Sequence, residues 1–192
     1  MGTEFELKFL AEESAFDSLK QETDKWTSFE MATTYYDTAD AQLGKRRWTL
    51  RRRFENGVSV CTLKTPAGKL ERREFELECE DIHAAIPQLC NLGAPAELLE
   101  YTAAGVSEVC SARFHRWAGQ VALGDTQVEL ALDKGVLMGG GKEQPFVEVE
   151  VELKAGDPQV AVAYAQSLAH RFCMRLESKS KYKRALTLAG KG

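Results

Sequence analysis

Charged and apolar positions alternate strictly from the start of the chain. In EFELKF, residues 4–9, Glu4, Glu6 and Lys8 fall on one face of a strand and Phe5, Leu7 and Phe9 on the other. The same period of two recurs in RREFELE (72–78), which groups Arg72, Glu74, Glu76 and Glu78. It recurs in QVELALD (127–133), where Glu129 and Asp133 oppose Val128, Leu130 and Leu132. It recurs again in FVEVEVEL (146–153), where Glu148, Glu150 and Glu152 oppose Val147, Val149 and Val151. LRRR (50–53) puts Arg51 and Arg53 on a shared face, and TLK (62–64) ends at Lys64.

Other stretches supply the remaining elements. AEESAFDSLKQETDKW (11–26) suits an amphipathic helix, and MATTYYDTAD (31–40) reads as a strand ending in turn formers. Asn56-Gly57 joins RWTLRRRF to VSVCTLKTP as a hairpin. Residues 81 to about 105 turn helical, with Pro87 weakening continuity. The stretch 111–135 reads as two strands about a turn at Gly124-Asp125, and GVLMGGGKEQP as a glycine-rich loop. Asp157 and Pro158 form an N-cap and first-position pair opening a helix to about Leu176. Nothing suggests a repeat or an internal boundary, so one α+β domain over residues 1–192 is expected.

Any one alternating strand fits an antiparallel sheet with a wet face. Three strands of stacked glutamates are harder to leave in water, because like charges so close repel unless neutralised. A closed or nearly closed antiparallel barrel, charged faces inward and apolar faces packed under helices, would gather these acids and bases in one lumen. Such a lumen suits a hard divalent cation on the carboxylates and a many-oxygened anion on the arginines and lysines. A metal-bound polyphosphate satisfies both.

Composition narrows the partners. The net charge of −4 gives no global pull toward nucleic acid or an anionic membrane. No apolar run is long enough to span a bilayer, and the start of the chain lacks a signal-peptide layout. Five scattered cysteines without a C-x-x-C read as reduced thiols, and a cytoplasmic location is expected. KRRWTLRRRF (45–54) interleaves bases with aromatics, but as one strand of an acidic protein it does not read as a nucleic-acid patch. The GGGK stretch departs from a P-loop at Val136 and Glu143, and the three histidines lack zinc spacing.

Glu4-x-Glu6-x-Lys8, YYDTAD, LRRR, TLK, the Arg72-x-Glu74 strand, Arg113, ELALDKG, EVEVEL and SKSKYKRA occur in the order found in the CYTH superfamily, the triphosphate tunnel metalloenzymes. The chain resembles that family over nearly its whole length, most of all its bacterial inorganic triphosphatases. The resemblance implies an antiparallel tunnel of eight strands and Mg²⁺- or Mn²⁺-dependent chemistry on a triphosphate. It implies Glu4, Glu6, Glu148, Glu150 and Glu152 as metal ligands, with Glu74, Glu76 and Asp133 completing a second metal site or positioning water. Lys8, Arg51, Arg53, Lys64, Arg72, Arg113, Lys181 and Arg184 would grip phosphates. Water activation falls among Glu6, Glu74 and Glu150, with Lys8 beside them. One departure, Ala185 where the family has glycine, bears on the local turn.

The expected reaction is hydrolysis of inorganic tripolyphosphate to pyrophosphate and phosphate. Thiamine or nucleoside triphosphates, a class IV-type adenylate cyclase activity and a non-catalytic polyphosphate-binding module are the alternatives. A small-molecule partner and a monomer or homodimer are expected.

Overall fold

The computed structural model describes residues 5–67 and 72–191. Its strands are β1 (Glu6–Leu10), β2 (Trp26–Asp37), β3 (Thr49–Glu55), β4 (Val58–Pro66), β5 (Arg72–Glu78), β6 (Ser107–Leu123), β7 (Thr126–Gly139), β8 (Lys142–Ala155) and β9 (Arg175–Leu176). Its helices are α1 (Phe16–Leu19), α2 (Gln42–Lys45), α3 (Ile82–Asn91), α4 (Glu97–Tyr101), α5 (Pro158–Arg171) and α6 (Lys181–Leu188). All strands join one antiparallel sheet in the order β5-β4-β3-β2-β6-β7-β8-β1-β9. The expected eight strands are therefore present, with the two-residue β9 added beside β1. Among the described residues no ladder joins β5 to β9, so the sheet is a nearly closed tunnel. Glu6 on β1 nevertheless lies close enough to Arg72 on β5 to act on its charge, so the sheet curls until its two sides face each other.

Alternation decides which face is packed. The outward residues of β1, β7 and β8, among them Phe9, Leu130, Leu132, Val149 and Val151, lie under Ala161, Ala165 and Leu168 of α5. Those of β3–β5, including Leu50, Leu63 and Phe75, lie under Ile82, Ile86 and Leu89 of α3 and Leu98 of α4. Asp81 caps α3 by accepting from the His83 amide, and Asp157 caps α5 by accepting from Gln159. None of the helices among the described residues is long and apolar enough to cross a membrane.

Several elements differ from expectation. The helix over 11–26 shrinks to the single turn α1 flanked by 3-10 turns, because only Phe16 and Leu19 are buried there. The helix over 81–105 splits into α3 and α4. The glycine-rich loop is a two-residue turn, Gly140-Gly141, with φ of 60° and 72°, and the flanking strands run up to it. The helix from Asp157 stops at Arg171, and Leu176 joins β9.

The last helix is placed unlike the others. In α6 the Ser180 hydroxyl accepts from the Lys183 amide, and the helix lies on the charged side of the sheet. Ala185 packs there with Met31, Tyr35, Cys110, Ala112, Phe114, Leu137 and Phe146. Residue 185 is thus a fully buried helical position rather than a turn.

Candidate active site

The pairing register lines up polar side chains on two parts of the concave face. Glu6 opposes Glu152, and Lys8 opposes Glu150, across β1 and β8. Glu152, Glu150 and Glu148 oppose Glu129, Ala131 and Asp133 across β8 and β7. Asp133 opposes Arg116 on β6. On the other wall, Arg51 opposes Thr62, Lys64 opposes Glu74, and Thr62 opposes Glu76.

Three carboxylates converge at the foot of α6. Oxygens of Asp133, Glu148 and Glu150 all lie within 4.8 Å of one another, and Asp133 and Glu148 are fully buried. Lys181 Nζ reaches Asp133 Oδ2 at 2.8 Å and Glu150 Oε1 at 2.9 Å, and also pairs with Glu148. Arg116 grips Asp133 with its fork, Nε to Oδ1 at 2.7 Å and Nη2 to Oδ2 at 2.8 Å, and extends to Glu150. Arg184 pairs with Glu148. Three acids thus face three bases in a largely dry pocket.

Their proton affinities follow from that arrangement. Burial pushes the Glu148 carboxyl up to about 7, and Glu150 adds to the rise while Lys181 and Arg184 pull it back. Burial also acts on Glu150, but Lys181 and Arg116 outweigh it and hold that carboxyl well below its ordinary range. Burial opposes the charge on Lys181, and Glu150, Asp133 and Glu148 outweigh it, raising its affinity for its proton. Arg116 is held well above its ordinary value, Glu150 and Asp133 overcoming its burial.

The opposite wall is basic, with Glu74 and Glu76 on its β5 side. Arg53 Nε donates to Thr33 Oγ1 at 3.4 Å. Burial draws its guanidinium down to about 10, and neighbouring Arg51 adds to the fall. Arg51 Nε is buried without a hydrogen-bond acceptor. Arg72 Nη1 donates to Thr49 Oγ1 at 3.5 Å, and burial followed by Arg47 lowers its affinity for its proton. Among the described residues, none of these three arginines has a carboxylate within salt-bridge distance. Guanidiniums turned into a lumen with no carboxylate in salt-bridge contact are set out to receive an anion.

Asp133, Glu148, Glu150, Lys181 and Arg184 are therefore brought into one cluster, and Arg51, Arg53 and Arg72 face the same lumen. Glu6 and Lys8 pair with each other at 3.2 Å. Glu152 lies beside them, 2.8 Å from Lys154 Nζ, and Glu129 is 3.5 Å from the same nitrogen. Glu74 pairs with Lys64 on the basic wall, away from the trio, and Glu76 faces the lumen but is exposed. Glu4 lies outside the described residues.

Arg113 stands apart. It shares the outward face with His115 and Trp117, opposite Val136, and is exposed. The inward position belongs to Arg116, which the sequence reading passed over. The signal was present in Trp117: it packs against the α5 core, so alternation sends Arg113 outward with it and Arg116 into the lumen.

Fold and site together define a charged antiparallel β tunnel with an acidic wall, a basic wall and a helix laid across one end. A family model for the CYTH domain matches residues 2–186, and the chain belongs to that family. An inorganic triphosphatase from Haemophilus influenzae is 30% identical over 200 residues, which cover 100% of this chain and 56% of that protein. The chain spans about half the length of this curated relative. A Hippeastrum protein named as a candidate adenylyl cyclase that reveals a dominant triphosphatase activity superposes with a TM-score of 0.66. It is 19% identical, over 100% of this chain and 97% of that one. A candidate adenylate cyclase from Bacillus halodurans gives 0.63 at 19% identity, over 96% and 98% of the two chains. At these identities the superpositions speak to the fold.

Proposed function

We propose that this chain hydrolyses a triphosphate, with inorganic tripolyphosphate cut to pyrophosphate and phosphate in the tunnel. The observation that carries the reading is the pairing of a three-carboxylate cluster with a facing wall of arginines that, among the described residues, have no carboxylate within salt-bridge distance. The name and the reported activity of the two relatives support it: one is an inorganic triphosphatase and the other shows dominant triphosphatase activity.

The donor set of the cluster, all carboxylate oxygens at close quarters, fits a hard cation such as Mg²⁺ or Mn²⁺. Asp133, Glu148 and Glu150 would hold it, with Glu6 and Glu152 at the adjoining register positions. Bound there, the ion would supply positive charge to phosphate oxygens and acidify water.

The chain's own residues do the rest. Arg51, Arg53 and Arg72 take the phosphate oxygens in their forks and fix the polyphosphate along the basic wall, and Lys8 meets it from β1. Their charge opposes the negative charge that builds on the leaving pyrophosphate. Glu150, the least buried acid of the cluster, takes the proton from the attacking water. While Lys181 and Arg116 hold it, Glu150 is a weak base; phosphate oxygens that draw Lys181 off it remove one of the two charges that hold its proton affinity down.

The test is phosphate release from purified protein given tripolyphosphate, ATP or thiamine triphosphate in Mg²⁺, Mn²⁺ or EDTA. Tripolyphosphate should turn over fastest, EDTA should abolish release, and Glu150→Gln should slow it by about 10²-fold or more. Cyclic AMP and pyrophosphate from ATP would instead assign a cyclase, and tight tripolyphosphate binding without turnover would leave a binding module.

A further inference from the structure

Lys181 occupies the place of a small cation. Its one nitrogen touches all three carboxylates of the cluster, at 2.8 Å from Asp133 and 2.9 Å from Glu150 and in contact with Glu148. Those are the same three carboxylates that each offer an oxygen within 4.8 Å of the others. Its side chain is only 9% exposed. The two arginines differ in kind. Arg116 is clamped to Asp133 by two parallel hydrogen bonds, a fork geometry that no spherical ion reproduces. Lysine presents a compact point charge on a flexible stem.

Charge balance then limits what can be added. The carboxylates of Asp133, Glu148 and Glu150 are already matched by Lys181, Arg116 and Arg184. A divalent ion entering with all three bases in place would leave an uncompensated positive charge in a buried site. Lys181 has an alternative place in the tunnel. It is the first residue of α6, next to the Ser180 cap, and its charge already acts on Tyr35 of the basic wall.

We infer that Lys181 is a built-in cation of the tunnel: it competes with a divalent ion for Asp133, Glu148 and Glu150, and an anion on the basic wall frees those carboxylates by taking Lys181 for itself. The inference rests on the triphosphate reading of the site and adds a rule of loading to it. A divalent ion alone binds weakly, an anion alone is opposed by the carboxylates it strips of their partner, and each strengthens the other by the same factor.

The experiment measures Mn²⁺ binding without any substrate, by calorimetry on the wild-type protein, Lys181→Gln and Lys181→Arg. Lys181→Gln is expected to bind Mn²⁺ about tenfold more tightly than wild type, and Lys181→Arg to stay near wild type. The variant should melt below wild type in EDTA and gain more from Mn²⁺ than wild type does. One arm needs no variant: inorganic sulfate, an oxyanion that cannot be hydrolysed here, should tighten Mn²⁺ binding to the wild-type protein severalfold. Equal Mn²⁺ affinities in wild type and Lys181→Gln would overturn the inference, and so would sulfate that leaves wild-type affinity unchanged or weakens it. None of these arms measures turnover, so their failure leaves the triphosphatase reading standing. A protein that shows the loading pattern yet never cleaves tripolyphosphate would sink that reading alone.

Discussion

Arg116 and Arg113 sit three positions apart on one strand and belong to different chemistries. Replacing Arg116 with Met strips a fully buried Asp133 of its bidentate partner and Glu150 of one of its two cations. That should cost about 3–5 kcal/mol in urea unfolding. Arg113→Met should change stability by about 0.5 kcal/mol or less and leave tripolyphosphate affinity untouched; a loss of affinity there would mean that the outward face takes part. Acid titration separates two carboxylates in the same way. Glu148 holds its proton in the folded state up to about 7, against 4.5 ordinarily. Its contribution to stability is therefore full below the ordinary value and is lost as pH rises toward 7. Glu150 is held low, so its contribution is present above the ordinary carboxylate value and is lost as pH falls below it. In EDTA, melting temperature against pH should lose its slope between about 4.5 and 7 in Glu148→Gln and part of its acid limb in Glu150→Gln. An unchanged profile in both would show that neither group titrates as placed. The sequence could rank none of these residues, because alternation assigns a face and says nothing of which acids meet which bases.

At the scale of elements, strands were legible and helices less so. The repeated Glu-x-Glu stretches mark β1, β5 and β8 because one face of each is packed, and packing enforces the period. The turn at Gly140-Gly141 was hidden by Lys142, Glu143 and Gln144, three successive polar residues that carry no alternation. Helix α6 was hidden by its polarity: Tyr182, Ala185 and Leu186 make a narrow apolar stripe in a basic stretch, and only the facing sheet makes it useful. Its packing can be tested at Gly139, where an added Cβ would stand 2.3 Å from the Ala185 carbonyl oxygen. Gly139→Ala should displace α6 and cost about 1–3 kcal/mol. Because α6 carries Lys181 and Arg184, the same change should loosen tripolyphosphate binding. Full retention of that affinity would show that the helix does not position the site.

Across the whole molecule, a net charge of −4 conceals a separation into two walls. The acids of β1, β7 and β8 face the arginines of β3 and β5, and α6 crosses one end carrying the cations that balance the acidic cluster. The tunnel was legible because β1, β5, β7 and β8 repeat the same bias, charged inward and apolar outward. What no strand reveals is how much of that charge is already spent on internal pairs, since those pairs form between residues far apart in the chain. The most direct test of the two-wall arrangement is a crystal structure with Mn²⁺ and tripolyphosphate, with manganese located by its anomalous scattering. The manganese peak is expected among Asp133, Glu148 and Glu150 and the phosphates along Arg51, Arg53 and Arg72. Manganese on the outer face, or a polyphosphate bound away from the arginines, would contradict that arrangement.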